Sequence, residues 1–161
     1  MQTIEITKDN AIAAYNSADK NGKKLLAALL GEKNLLQKIT DRVKTLEDAI
    51  EVLGGVSENV KILLDYNGAD PDMISSQAHM KLTIIARSLN EGWVPDWSDG
   101  SQYKYVPYFE YKAGFGLSYY GYGHWSTRTY VGSRLCFKSS DLAVYAAKQF
   151  ADIYNDFLTI K

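Results

Sequence analysis

The sequence predicts an α+β fold, in which an N-terminal helical layer precedes an antiparallel meander of three to four strands and a C-terminal helix packs on that sheet. Helical spacing of apolar residues dominates positions 1–92, which contain only two aromatic side chains. All three tryptophans and eight of the twelve tyrosines lie between residues 93 and 130. Aromatic residues favour strands, so this change in composition marks the start of the sheet. With 161 residues, the regions 1–92 and 93–161 are expected to form one compact domain.

Signals at helix ends predict five helices in the first region. Thr7, Thr45 and Asp70 are suitable N-cap residues, and Asp48 can complete a capping box with Thr45. The residue after Asp70 is a proline, which is favoured at the first helical position. A short strand at Thr3–Thr7 is expected to precede the helices. The predicted helices span residues 8–18, 20–30, 44–53, 59–65 and about 71–91.

Alternating apolar and polar residues predict the strands of the second region. Four candidates are joined by short links, which are typical of antiparallel hairpins. They are Tyr103–Tyr111, Phe115–Tyr122, Trp125–Val131 and Ser133–Lys138. Pro107 lies inside the first candidate, which indicates an edge strand or a bulge. After Ser139 or Ser140, apolar residues recur at helical spacing as far as Phe157 and predict the helix that packs on the sheet.

Composition excludes several classes of protein. The 18 basic and 19 acidic residues give a net charge of −1, so overall charge does not favour nucleic acid or an anionic membrane. The single cysteine cannot form an internal disulfide. No run approaches the roughly 20 apolar residues of a membrane-spanning helix, and the N-terminus lacks the pattern of a signal peptide. We therefore expect a globular protein without a membrane partner.

The second region combines aromatic rings with positive charge. Residues 102–138 hold five lysines and arginines but only one acidic residue, Glu110. Aromatic rings interleaved with cations can stack nucleobases and hold phosphates, at about 1–3 kcal/mol per stacked base. The alternative interpretation is that one sheet face belongs to the core and the other is an ordinary exposed β-surface. We predict a ligand-binding surface formed by Trp93, Trp97, Tyr103, Tyr105, Tyr108, Tyr120, Tyr122, His124, Trp125, Arg128 and Arg134.

Known catalytic and metal-binding motifs are missing from the sequence around this surface. The two histidines, His79 and His124, lack the partner spacing of a zinc site. Cys136 is interpreted as a buried structural residue, because the sequence places no base beside it. An acid–base pair of His124 with Asp96 would describe a small hydrolase. We predict no catalytic residue, no metal and no cofactor, and keep the hydrolase as an alternative.

Several segments carry a resemblance to known proteins. They are Asn90–Trp97, Gln102–Tyr105, Pro107–Phe109, Gly132–Ser139, Ala146–Phe150 and, less specifically, Arg42–Ala49. These segments resemble a group of uncharacterised proteins from phages and prophages of gut bacteria. The resemblance implies a protein made in a bacterium that carries a phage, located in the host cytoplasm or in the virion. It supplies no catalytic residue.

The leading hypothesis is a non-catalytic binding protein encoded by a phage or another mobile element. Its partner is expected to be a nucleotide-like small molecule, such as a defence signal, or a host protein that it blocks. Nucleic acid is a less favoured partner. The second hypothesis is a structural or assembly protein whose aromatic surface forms a homo-oligomer interface. The third is the small hydrolase described above.

Overall fold

The computed structural model describes residues 6–31, 35, 38–113 and 116–159. Within these residues the chain has eight helices and one antiparallel sheet of two strands, which confirms the α+β class, and none of these helices has the length and apolar composition to cross a membrane. The chain divides into two compact units, Met1–Arg42 and Val43–Lys161. The first unit contains α1 (Lys8–Ser17), α2 (Lys20–Leu30) and α3 (Ile39–Arg42). The second contains α4 (Leu46–Val52), α5 (Glu58–Leu64), α6 (Pro71–Leu89), β1 (Lys104–Lys112), β2 (Gly116–Trp125), α7 (Ser140–Gln149) and α8 (Ala151–Leu158).

Two helices of the first unit begin at capped residues. Thr7 Oγ1 accepts a hydrogen bond from the Asn10 amide (3.3 Å), and Asp19 Oδ1 accepts one from the Gly22 amide (2.8 Å). These caps open α1 and α2, which contact each other and confirm the two helices predicted here. The strand predicted at Thr3–Thr7 lies largely outside the described residues.

The predicted capping box opens α4. Thr45 Oγ1 accepts a hydrogen bond from the Asp48 amide (3.1 Å). The Asp48 carboxylate in turn accepts from the amides of Lys44 (2.8 Å) and Thr45 (2.9 Å). These backbone hydrogen bonds, that from Lys44 first, lower the pKa of Asp48. Asp70 caps α6 in the predicted way and accepts from the Asp72 amide at 2.9 Å.

Helix α6 is the central helix of the second unit. Leu82, Ile85 and Leu89 on its apolar face are each at most 2% exposed, and the helix contacts α4, α5, α7 and α8. Full burial of side chains of this size stabilises the fold by about 1.5–3 kcal/mol each. Gln77 Nε2 donates to the carbonyls of Leu63 (3.2 Å) and Leu64 (2.8 Å) at the end of α5, and to that of Tyr66 just after it (2.8 Å). This amide therefore satisfies the last carbonyls of α5 and joins that helix to α6.

Strands β1 and β2 form a hairpin with one bulge. The register begins at the Lys104–Trp125 pair and shifts once, which leaves Tyr120 as the unpaired residue of β2. Pro107 lies within β1, opposite Tyr122. A bulge increases the local twist of a strand, so the direction of the hairpin changes at Tyr120.

The predicted sheet of three to four strands is wrong for the described residues, where the sheet has two. Residues 126–131 are irregular, and the fourth candidate strand makes a single bridge, between Phe137 and Tyr105. Thr129 Oγ1 accepts from the amides two and three residues later, at 3.1 and 2.7 Å. Local side-chain acceptors of this kind compete with strand pairing, and alternation alone does not reveal them.

The single C-terminal helix predicted after residue 139 is also wrong, because the chain forms two helices there. The break falls at Phe150, whose φ of −117° and ψ of 32° lie outside the helical range. Helix α7 begins at its predicted serine cap and contacts both strands. Helix α8 places Tyr154 against Phe109, with ring centroids 4.7 Å apart, and Phe157 against His79 of α6 at 5.3 Å. After the break, α8 therefore packs on α6 as well as on the sheet.

Candidate functional site: an arginine-lined cleft

The predicted binding surface is divided into several separate places. Four of its residues, Tyr103, Tyr105, Tyr122 and His124, form what we call the hairpin cluster. The ring centroids of Tyr103 and His124 are 4.5 Å apart, and those of Tyr105 and Tyr122 are 6.0 Å apart, both in edge-to-face geometry. Such ring pairs stabilise one another by about 0.5–1.5 kcal/mol beyond their burial. These ring contacts stabilise the hairpin, while Tyr103, Tyr122 and His124 remain exposed.

Tyr108 and Trp125 lie on the opposite face of the hairpin, as the alternation of strand residues requires. Their ring centroids are 5.9 Å apart, and Trp125 also contacts Tyr130 at 5.3 Å. The Tyr108 ring covers Gly123 so closely that a Cβ there would lie 2.5 Å from a ring carbon. A larger residue at this position would displace the Tyr108 ring, which packs on the Gly123 backbone.

Trp97 covers a buried lysine. The Lys104 residue is 1% exposed, and its ammonium lies 5.3 Å from the centroid of the Trp97 ring. The ammonium donates to four backbone carbonyl groups, so its positive charge is met by oxygen dipoles. The acceptors are the carbonyls of Asp96, Asp99 (3.3 Å), Gln102 (2.7 Å) and Ser126 (2.8 Å). Lys104 and Trp97 therefore hold the loop before β1 to the end of β2.

Two adjoining clefts lie beside the C-terminal half of α6. The larger, of about 500 Å³, lies between α6 and the turn that follows α4. The smaller, of about 290 Å³, lies between α6 and the segments 93–95 and 133–134. Thr83, Arg87 and Arg134 line both, so we treat the two as one site and call it the arginine cleft. A combined cavity of this size is in the range of small-molecule binding sites.

The turn after α4 gives the arginine cleft a backbone wall. Gly54 and Gly55 have φ values of +74° and +106°, a region that glycine adopts without strain. Their amides donate to the carbonyls of Glu51 and Ile50, both at 2.9 Å. These bonds close the end of α4 and fix the position of the turn.

Neither arginine of the cleft pairs with a carboxylate in the described part of the chain. Arg87 in the last turn of α6 and Arg134 in the loop before Phe137 are exposed, and neither forms an ion pair with a described residue. None of the described residues that line the cleft is acidic. Guanidinium groups bind phosphate and carboxylate through paired hydrogen bonds. The cleft therefore presents two uncompensated cations suited to an anion.

A buried hydroxyl group adjoins the two arginines. Thr83 is 8% exposed and lies four residues before Arg87, on the same side of α6. Its Oγ1 is the one buried side-chain nitrogen or oxygen atom in the described part of the chain that lacks a hydrogen-bond partner. A buried group without a hydrogen bond lowers the free energy of unfolding by about 1–3 kcal/mol. A ligand or water that bonds to Thr83 would remove this cost.

Two side chains hold the loop that carries Arg134. Trp97 Nε1 donates to Ser133 Oγ at 2.7 Å, directly beside Arg134. Asn90, which is 5% exposed, bonds to the backbone of residues 136–138 through both ends of its amide, donating at 2.8 Å and accepting at 3.0 Å. The end of α6 is therefore tied to the segment that follows Arg134, and this connection places the second arginine beside the helix.

The acid–base pair of the hydrolase alternative is not assembled. The Asp96 carboxylate accepts from the Ser98 hydroxyl (2.6 Å) and amide (2.8 Å), and these bonds lower the pKa of Asp96. His124 instead packs against the rings of Tyr103 and Tyr105. Among the described residues, no three His, Cys, Asp or Glu side chains lie together so that they could hold a metal ion.

Cys136 is a buried thiol with little nucleophilic character. It has no exposed surface, and burial raises the pKa of the thiol from 9.0 to about 11. Between pH 9.0 and about 11, the thiol of the unfolded chain ionises while the folded thiol stays protonated. The free energy of unfolding therefore falls as the pH rises through this range. Because only thiolate reacts, we expect iodoacetamide at pH 8 to modify the folded chain about 100-fold more slowly than the chain in urea. Equal rates would show an accessible, ionised thiol.

The sequence identified two residues of the arginine cleft, Trp93 and Arg134, and missed Arg87 and Thr83. The available signal was the spacing of four that places Arg87 and Thr83 on one side of the predicted helix. An arginine in a last helical turn is, however, commonly explained by the helix dipole. Of the other predicted residues outside both clefts and both ring groups, Trp97 covers Lys104, whereas Tyr120 and Arg128 belong to no site described above.

The ligand class is therefore inferred from the lining of the cleft. Comparison of the chain with models of protein families, with curated proteins and with solved structures found no match.

Proposed function

We propose that the chain is a non-catalytic binding protein that holds a nucleotide-like anion in the arginine cleft. The observation that carries this proposal is the pair Arg87 and Arg134, which line the same cavity and form no ion pair with a described residue. Two guanidinium groups without carboxylates attract an anion and repel a cation. Phosphate, like carboxylate, is an anion whose geometry the guanidinium fork matches in two bonds at once.

An apolar wall beside the two cations favours a nucleotide over a simple anion. Trp93 lines the smaller cleft together with Val94 and Pro95. An indole face stacks on a nucleobase with a contribution of about 1–3 kcal/mol, whereas inorganic phosphate gains nothing from it. The Thr83 hydroxyl adds a polar group that lacks a partner in the described structure. The cleft thus combines groups for a phosphate with a surface for a base.

The phage setting that the sequence resemblance implies would suit this function. The segments Asn90–Trp97 and Gly132–Ser139, which resemble proteins of phages and prophages, both contribute residues to the arginine cleft. A phage protein that sequesters a nucleotide signal of bacterial defence needs a binding cavity and no catalytic group. In this proposal the chain acts in the host cytoplasm.

The test is the retention of phosphorylated metabolites by the purified chain. We would incubate it with the small-molecule fraction of a bacterial lysate, wash it, denature it and identify the released compounds by mass spectrometry. We expect a nucleotide to be released. Arg87→Gln or Arg134→Gln should lower the affinity for it about 10- to 100-fold, because a hydrogen bond to a charged group contributes about 1.5–3 kcal/mol.

Arg128→Gln is the matched control, since Arg128 is exposed and lines neither cleft. We expect this variant to bind like the wild type. Calorimetry with inorganic phosphate and with the corresponding nucleoside should give weaker binding than the nucleotide. The proposal fails if the chain with both cleft arginines replaced retains the same compounds as the wild type, or if Arg128→Gln loses as much affinity as Arg87→Gln.

A further inference from the structure

The outer edge of β2 carries backbone groups that point away from β1. Tyr105 exchanges both of its backbone hydrogen bonds with Phe137, at 3.0 and 2.8 Å, so its peptide groups point away from β2. Its register partner, His124, therefore forms a non-hydrogen-bonded pair with it, and the amide and carbonyl of His124 point outward. The direction of the peptide groups alternates along a strand, so the amide and carbonyl of Tyr122, two residues before His124, also point outward. No strand among the described residues pairs with this edge.

Strand β1 forms the other edge of the hairpin, and two features that β2 lacks prevent it from pairing with another strand. The bridge to Phe137 covers β1 at Tyr105, and Pro107, which has no amide hydrogen, stands at the next outward position. Residues 116–125 contain no proline, lysine, arginine, aspartate or glutamate. These are the residues by which edge strands avoid pairing with other chains. The bulge at Tyr120 leaves the rest of the strand regular.

We propose that two copies of the chain pair through their β2 edges about a two-fold axis opposite Gly123. Antiparallel pairing about this axis places Tyr122 of one copy opposite His124 of the other. Both residues direct their amide and carbonyl outward, so each such pair is hydrogen-bonded. The two hairpins become one four-stranded sheet, which is more stable than an isolated two-stranded one.

Charge and ring contacts favour a second copy over a peptide of another protein. An uncharged strand that pairs with itself brings no like charges together, and it offers no charge that would select a basic or acidic peptide. In one copy, Tyr122 already contacts Tyr105 in edge-to-face geometry, and His124 contacts it in tilted geometry. Tyr122 is 47% exposed and His124 is exposed as well, so both rings are free to contact each other across the axis. The proposed interface thus extends the hairpin cluster.

Sedimentation equilibrium of the full chain between about 1 and 500 µM tests this proposal, because small interfaces associate in this range. We expect a reversible equilibrium between monomer and dimer. Tyr122→Lys adds a charge on each side of the axis and should weaken the dimer more than about 10-fold. Tyr111→Lys is the matched control, at a 71% exposed tyrosine of β1, and should leave the dissociation constant unchanged.

His124→Pro provides a second variant. It removes an outward amide without removing a bond of the β1–β2 ladder, so it should also separate the two copies. Circular dichroism and slow modification of Cys136 confirm that each variant is folded. A chain that is monomeric at every concentration overturns the proposal and leaves the edge to an extended segment of another protein. A dimer that survives both variants overturns it too, because its interface lies elsewhere.

Discussion

Replacing Lys104 by methionine should destabilise the Val43–Lys161 unit by about 3–5 kcal/mol, a large share of the 5–15 kcal/mol that stabilises an ordinary domain. Methionine matches the length of the lysine side chain but donates no hydrogen bond. Four carbonyl groups of the surrounding backbone would lose their common donor. The Asp99 carbonyl keeps a bond from the Gln102 amide at 3.3 Å. Each of the other three acceptors, once unpaired, costs about 1–3 kcal/mol, and water reaching part of the loop keeps the sum below the maximum.

The measurement is urea unfolding of the wild type and of Lys104→Met. Lys112→Met is the matched control, because Lys112 lies on the same strand, its side chain is 58% exposed, and it forms an exposed ion pair with Glu110 at 2.6 Å. An exposed pair contributes about 0–1 kcal/mol. The loss of stability in Lys104→Arg should lie between those of Lys104→Met and Lys112→Met. The planar guanidinium keeps the positive charge, but its protons do not point in the directions of the ammonium protons. Equal losses for Lys104→Met and Lys112→Met would contradict the role of the carbonyl groups.

Asn90→Ala should cost about 2–4 kcal/mol, the second largest effect that we expect. Asn90 is 5% exposed and satisfies two backbone groups, the Cys136 carbonyl at 2.8 Å and the Lys138 amide at 3.0 Å. Alanine leaves both without a partner and opens a space between α6 and the segment 136–138. The loss of this connection also frees the loop that carries Arg134.

Hydrogen exchange at the Lys138 amide, together with urea unfolding, measures this effect. The Lys138 amide should exchange faster in Asn90→Ala than in the wild type. Asn90→Asp tests the donor by itself, because it keeps the shape and the acceptor but places an oxygen against the Cys136 carbonyl. It should be at least as unstable as Asn90→Ala. Wild-type stability of Asn90→Asp would contradict the assignment, and Asn67→Ala, at an exposed residue, should change stability by less than about 0.5 kcal/mol.

The helix starts were predictable because each depends on residues close together in the sequence. The Thr45–Asp48 capping box and the Asp70 cap use side chains and amides within four residues of each other. No tertiary contact is needed to form them. The break at Phe150 was not predictable in the same way, because apolar residues keep helical spacing on both sides of it.

The residues of the predicted binding surface lie in several separate places, because composition shows how many charges a segment holds and not which groups they contact. Lys104 contributed to the positive excess of residues 102–138, yet the structure buries its ammonium among backbone carbonyls. Several tyrosines likewise pack on each other or, like Tyr108, on a glycine. The partners of Lys104 include residues 96 and 126, on either side of the hairpin, and no local pattern connects them.

The arginine cleft depends on contacts between residues far apart in the sequence. Arg87 and Arg134 lie on different elements, and they line one cavity because Asn90 ties the end of α6 to the segment 136–138. Neither arginine has a local motif around it. The sequence therefore identified Arg134 by its aromatic neighbours and gave no reason to choose Arg87.

The central claim is that the arginine cleft, and not the hairpin cluster, binds the anion. It is tested most directly by nuclear magnetic resonance of the ¹⁵N-labelled chain, titrated with the nucleotide that the purified chain retains. We expect the largest shifts at the side-chain Nε–Hε groups of Arg87 and Arg134 and at the Thr83 amide. Shifts concentrated at Tyr105 and Tyr122, with both arginine side chains unchanged, would contradict it.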